Sequence, residues 1–83
     1  MPLFLDTHRN IDGLTATAVA IGHARDIEVQ AKHGVRFVRY WYDEATGKIF
    51  CLAEAPNVEA MIAAHREAHG MLADEITEVT EGV

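Results

Sequence analysis

Cysteine, proline and basic residues are all scarce in this chain of 83 residues, and each scarcity excludes something. Cys51 stands alone, so no intramolecular disulfide can form. Seven lysines and arginines face thirteen aspartates and glutamates, and the formal charge of −6 argues against nucleic acid or an anionic membrane as partner. The same excess of carboxylates attracts cations. No apolar stretch is long enough to span a bilayer, and no charged start followed by an apolar run marks a signal peptide. A reducing cytoplasm is the compartment these absences predict. Of the two prolines, Pro2 could serve as an N-terminal base of the kind small tautomerases use if Met1 were removed. No arginine motif accompanies it, and the plainer role is to begin a strand, where a missing N–H matters least.

What is present is an ordinary globular share of apolar residues, 49%, in a chain short enough to form one domain over residues 1–83. A domain of this size buries a modest fraction of its surface, and oligomerisation is a common way to gain core. Leu3-Phe4-Leu5 leads into Asp6-Thr7-His8 and predicts a strand over 2–8, closed by the turn-like Asn10-Ile11-Asp12-Gly13. Thr15 can cap a helix whose positions Ala16, Val19, Ala20, His23, Ile27 and Ala31 recur at helical spacing, with Gly34 past its end. Val35 to Tyr42 and Lys48 to Ala55 are strands joined through Asp43-Glu44-Ala45-Thr46-Gly47. Asn57 caps a second helix with Val58, Met61, Ile62, His65, Ala68 and His69 on one stripe and Gly70 beyond it. A last strand covers roughly 74–80, its interspersed glutamates reading as a solvated face.

The order strand, helix, strand, strand, helix, strand predicts an α+β fold: a ferredoxin-like βαββαβ antiparallel sheet with both helices on one face. In the hairpin, Tyr42, Tyr40 and Val38 are expected across from Ile49, Cys51 and Ala53, and Trp41, Arg39 and Phe37 across from Phe50, Leu52 and Glu54. Both faces are then largely apolar. Helices cover one, and a second copy of the sheet is the natural cover for the other, which predicts a homodimer of the dimeric α/β-barrel type.

Histidine carries the chemistry. His65 and His69 stand four apart, which on a helix brings their β-carbons to about 5–6 Å and lets two imidazoles grip one divalent ion. His23 has Asp26 three positions on, and His8 follows Asp6 on the same side of its strand. Imidazole and carboxylate donors at these spacings make His65, His69, His23, Asp26, Asp6 and His8 the candidate metal ligands, for nickel, zinc or copper. A histidine on an apolar stripe is equally a packed core residue with one nitrogen hydrogen-bonded, the simpler reading of His23. His33, beside Lys32 and Gly34, suits the carbonyl end of a helix dipole. Cys51, between Phe50 and Leu52, reads first as a small buried apolar residue and second as a soft ligand or a nucleophile paired with His65 or His23. A rival function is a small dimeric enzyme acting on a small organic molecule, with His23, Asp26, His65 and Cys51 as acid–base groups around a pocket between sheet and helices. No complete catalytic apparatus is visible, so the balance leans away from an enzyme.

The stretches Leu5-Asp6-Thr7-His8-Arg9-Asn10, Val38-Arg39-Tyr40-Trp41-Tyr42-Asp43, Gly47-Lys48-Ile49-Phe50-Cys51-Leu52-Ala53-Glu54-Ala55-Pro56 and His65-Arg66-Glu67-Ala68-His69-Gly70 resemble a family of short bacterial nickel-binding proteins with members in actinomycetes. The resemblance covers essentially the whole chain. It implies a ferredoxin-like subunit, a dimer of the α/β-barrel kind, nickel bound near the dimer surface, and a role in nickel sequestration or detoxification. It does not assign ligands. Intrinsic affinity would favour copper over nickel at most such sites, so selectivity for nickel rests on the resemblance alone.

Overall fold

The computed structural model describes residues 1–83. Strand β1 (Leu3–His8) leads to helix α1 (Ala16–Val29), a 3₁₀ turn (Gln30–His33), the hairpin β2 (Arg36–Asp43) and β3 (Lys48–Glu54), helix α2 (Val58–Ala68) and strand β4 (Glu75–Val79). The sheet order is β2-β3-β1-β4, every neighbouring pair antiparallel. This is the predicted ferredoxin-like α+β arrangement. No helix is long and apolar enough to cross a membrane.

The helix starts follow their caps. Thr15 Oγ1 accepts from the Ala18 N–H at 3.1 Å, and Asn57 Oδ1 accepts from the Ala60 N–H at 2.9 Å. The end of α1 differs from the expected uniform helix. It tightens into the 3₁₀ turn because Gln30 is engaged from both sides: its carbonyl accepts from the Val35 N–H and its side-chain oxygen from the Phe37 N–H, each at 3.0 Å.

The hairpin register departs from strict alternation at one point. Tyr42↔Ile49, Trp41↔Phe50, Tyr40↔Cys51 and Arg39↔Leu52 pair as expected, but Phe37 opposes Ala53 and Arg36 opposes Glu54. Val38 is the extra residue of a β-bulge, half exposed at 42%. The bulge puts Phe37 and Tyr40, three apart, on the helix-covered face, where unbroken alternation would have sent Phe37 outward.

One end of the helix–sheet layer is a dry core of Phe4, Val35, Phe37, Ala53, Ala55, Met61 and Ala64. At the other end the loop after β1 is tied to the hairpin turn. Ile11 donates its N–H to the Gly47 carbonyl at 3.0 Å, and Ala16 donates to Glu44 Oε1 at 3.1 Å. Gly47 has φ +67°, and a β-carbon there would stand 2.9 Å from the Ile11 carbonyl oxygen, so only glycine lets the two segments meet.

Candidate metal centre

Period two along β1 places Phe4, Asp6 and His8 on the helix face, so the strand that begins in the dry core ends as a row of polar groups. The same alternation along β3 brings Cys51 inward beside Ala53. From above, α1 presents Asp26 on the stripe that also buries Val19 and Val29, and α2 presents His65 one turn beyond Met61. Four elements thus meet at one buried point: Asp6 is 0%, His65 1%, Asp26 2% and His8 3% exposed.

His65 is held between two carboxylates. Its Nδ1–H donates to Asp26 Oδ1 at 2.9 Å and its Nε2–H to Asp6 Oδ2 at 2.5 Å. With both nitrogens donating, the ring is an imidazolium. Burial by itself would lower its pKa, but the hydrogen bonds and charges of Asp26 and Asp6 raise it from 6.5 to about 9. Burial would likewise raise the Asp6 carboxyl, yet the bond from His65 and then the nearness of His8 hold it at about 2. Asp26 is lowered in the same way, burial being outweighed by bonds from His65 and His69. Cys51 moves in the opposite sense: burial, then the charges of Asp6 and Asp26, push its thiol upward and keep it protonated. Either role offered for Cys51, nucleophile or soft ligand, needs the thiolate, so the thiol has to give up its proton first.

His69 closes α2 and makes a different contact. Its Nδ1 accepts the Met71 N–H at 3.0 Å, so the proton sits on Nε2, which lies 3.1 Å from Asp26 Oδ1. The spacing that put His65 and His69 on one face is realised, with ring centroids 5.0 Å apart, and both point at the same carboxylate oxygen. His23 stands apart from both clusters. Its ring lies on Tyr40 with centroids 4.4 Å apart, and its Nδ1 has no hydrogen-bond partner.

Two sets of donors come within 4.8 Å of one another: Asp6, His8, Cys51 and His65, and Asp26, His65 and His69. The first carries the clearer mark of an ion. Asp6 Oδ1 and His8 Nδ1 are buried without a hydrogen-bond partner, and His8 Nε2 approaches Asp6 Oδ1 at 3.3 Å without hydrogen-bond geometry. Orphaned polar atoms in an interior point to an ion or water between them. Two imidazoles, a carboxylate and a thiol are donors that suit nickel, zinc or copper. Sequence reasoning put Asp6, His8, Asp26, His65 and His69 forward singly or in pairs, and the structure gathers all five. It offered Cys51 as a soft ligand only second to a buried apolar residue; the register that sets Cys51 opposite Tyr40 brings it to the same face as Ala53 and among these donors.

Known proteins bear on this arrangement. Residues 4–79 match the family described as "Nickel responsive protein SCO4226-like". The crystal structure of SCO4226 from Streptomyces coelicolor A3(2) is similar at a TM-score of 0.91 and 38% identity, covering 98% of this chain and 99% of that one. No curated protein matches the chain.

Proposed function

The chain belongs to the nickel-responsive SCO4226-like family, and from that premise we propose that it binds one divalent metal ion, nickel by preference, and serves in nickel sequestration or detoxification in the cytoplasm. The ion is cargo, held by Asp6, His8, His65 and Cys51. The observation that carries this reading is the buried convergence of those donors with two of their polar atoms unpartnered. Asp26 is then an outer partner: it keeps its bond to Nδ1 of His65, while Nε2 would release its proton to solvent and offer its lone pair to the ion, the arrangement in which a carboxylate orients a ligating imidazole. His69 braces Asp26, because its own Nδ1 is already engaged by backbone.

Uptake on this reading releases two protons, one from His65 Nε2 and one from the Cys51 thiol. Affinity should therefore rise by about a hundredfold per pH unit below the imidazolium range, and by about tenfold per unit in Cys51→Ser. The deciding experiment is a calorimetric nickel titration of tag-free protein beside His8→Phe, with His33→Ala as control. His8 makes no hydrogen bond, so the phenyl ring replaces it without breaking one. We expect at least a hundredfold weaker binding in His8→Phe and no change in His33→Ala. Equal affinity in His8→Phe and wild type would overturn this ligand set.

We further propose that two copies pair through the sheet face turned away from the helices, each chain forming one domain over residues 1–83. Leu3, Leu5, Phe50, Leu52 and Val79 alternate onto that face, and Trp41, paired with Phe50, is 46% exposed. Sedimentation should give a dimer for the wild type and a monomer for Leu52→Lys; a wild-type monomer at all concentrations would remove the proposal.

A further inference from the structure

The donor cluster is almost sealed, with Asp6, His8, Cys51 and His65 each 6% exposed or less, yet an ion has to reach it. Its sides differ in how closed they are. β1 is hydrogen-bonded to β3 along one edge and to β4 along the other, so the sheet closes the cluster from below. Phe37 lies against His65 with ring centroids 5.2 Å apart, and the dry core behind it offers no polar group. One side is open. There a cavity of about 330 Å³ runs between α1, the loop after β1, the hairpin and the end of α2. Three of the four donors, His8, Cys51 and His65, stand in its inner wall, and the exposed Ala18, Ile21 and Met71 stand at its mouth. A second cleft, between the loop after β1 and the hairpin turn, touches none of the donors.

We infer, resting on the metal reading proposed above, that this cavity is the route by which the ion enters and leaves, and that Ala18 and Ile21 at its mouth set the rate of exchange rather than the affinity. Size allows it. An ion travels with its first shell of water, and six waters at about 30 Å³ each need about 180 Å³. The hydrated ion therefore fits the cavity whole and sheds its water only at the donors. Along the way Leu14, Val19 and Ile49 present side chains that offer no ligand, so nothing there holds the ion back. Charge favours a cation as well. Asp12 stands in the cavity wall, and the one basic side chain there, Arg25, is engaged by the Ala68 carbonyl and Glu28, each at 3.1 Å. Asp26 lines the cavity and Asp6 does not, so the first buried carboxylate an arriving ion meets is Asp26. His65 and His69 both bond its Oδ1, at 2.9 and 3.1 Å, which leaves Oδ2 for the ion in passage.

A passage narrowed at its mouth slows entry and exit by one common factor, because the free and bound states are untouched. A lost ligand instead speeds exit and weakens binding. The test is stopped-flow mixing of tag-free protein with nickel, then release of the bound nickel into excess chelator, with free nickel followed by an indicator dye. Ala18→Phe narrows the mouth and Ile21→Ala widens it; Ala18 is exposed and Ile21 is 62% exposed, so neither change decides folding. We expect Ala18→Phe to lower both rate constants tenfold or more and Ile21→Ala to raise both severalfold, each with a dissociation constant within twofold of wild type. His33→Ala, away from the cavity, should move neither rate, and His8→Phe should speed exit and weaken binding. Rates unchanged in Ala18→Phe and Ile21→Ala, or a change in one rate without the other, would overturn the route. Unchanged rates in a protein whose affinity depends on His8 refute the route alone; affinity that His8→Phe leaves intact refutes the ligand set and the route with it.

Discussion

The two ends of a single helix–sheet layer differ in almost every physical respect. At one end Phe4, Phe37, Ala53, Met61 and Ala64 fill the space with carbon. At the other, the same strands and helices continue into Asp6, Cys51, Asp26 and His65, equally buried, with an open cavity alongside. Two residues along β1, or four along α2, separate the regimes. Packing holds the first end, and its stability is indifferent to proton and metal. Charge compensation holds the second, so its stability depends on both. A fold this small gives five of its eighteen buried positions to polar or charged side chains that cost free energy to bury, which is the pattern expected where an interior is also a site.

The contrast can be broken most forcefully at its centre. His65→Ala leaves two buried carboxylates facing each other, and we expect a loss of about 3–5 kcal/mol at pH 7, read from urea unfolding. The loss should shrink on acidification, because without the imidazolium burial raises both carboxyl pKa values and protonation then favours the folded state. A loss that stays constant down to pH 4 would show that packing, not charge, is what His65 supplies. At the dry end Met61→Ala should cost about 2–5 kcal/mol through the cavity it opens, with no dependence on pH and unchanged nickel affinity in the folded fraction. A pH-dependent loss there would blur the division between the ends.

Stability of the metal-free wild type against pH probes the polar end without mutation. The pKa of Asp6 is lowered from 3.8 to about 2, so its contribution is complete above 3.8 and lost as pH falls through about 2. The pKa of His65 is raised from 6.5 to about 9, so its contribution is complete below 6.5 and lost as pH rises through about 9. Unfolding midpoints should therefore be flat between these windows and decline on the alkaline side between 6.5 and 9. A flat alkaline limb would contradict the imidazolium at the centre of the cluster. The smallest effect is expected where the loop after β1 meets the hairpin turn: Gly47→Ala adds positive-φ strain and a contact with the Ile11 carbonyl, about 1–2 kcal/mol in sum, seen in thermal unfolding. Hydrogen exchange should quicken in the loop over residues 9–15 and not in the dry core.

Much of the framework was legible from residues alone. Threonine and asparagine caps, glycines past the helix ends and the hairpin's β-branched and aromatic runs are local signals, and local backbone energetics acts on them directly. The alternation of β1 also put Asp6 and His8 on one side of the strand, but that this side is the buried one was decided by the fold. The bulge at Val38 was not legible, because it depends on which side chain the core accepts. Nor was the partner of His65. Spacing on one helix suggested His69, whereas the bonds that fix the ring come from Asp6 and Asp26, 59 and 39 residues away in sequence.

The sequence by itself therefore determined the elements, their order, the pairs of acidic and imidazole side chains that share a face of one strand or helix, and the family resemblance those segments carry. Only the tertiary structure decided which of these groups share a proton, which nitrogens are left unpartnered, that Cys51 faces the cluster, and that an apolar cavity opens beside it. The reason is range. Propensity and periodicity act over a few neighbouring residues, while the state of a buried charge is set by whatever the fold brings within a few ångströms of it.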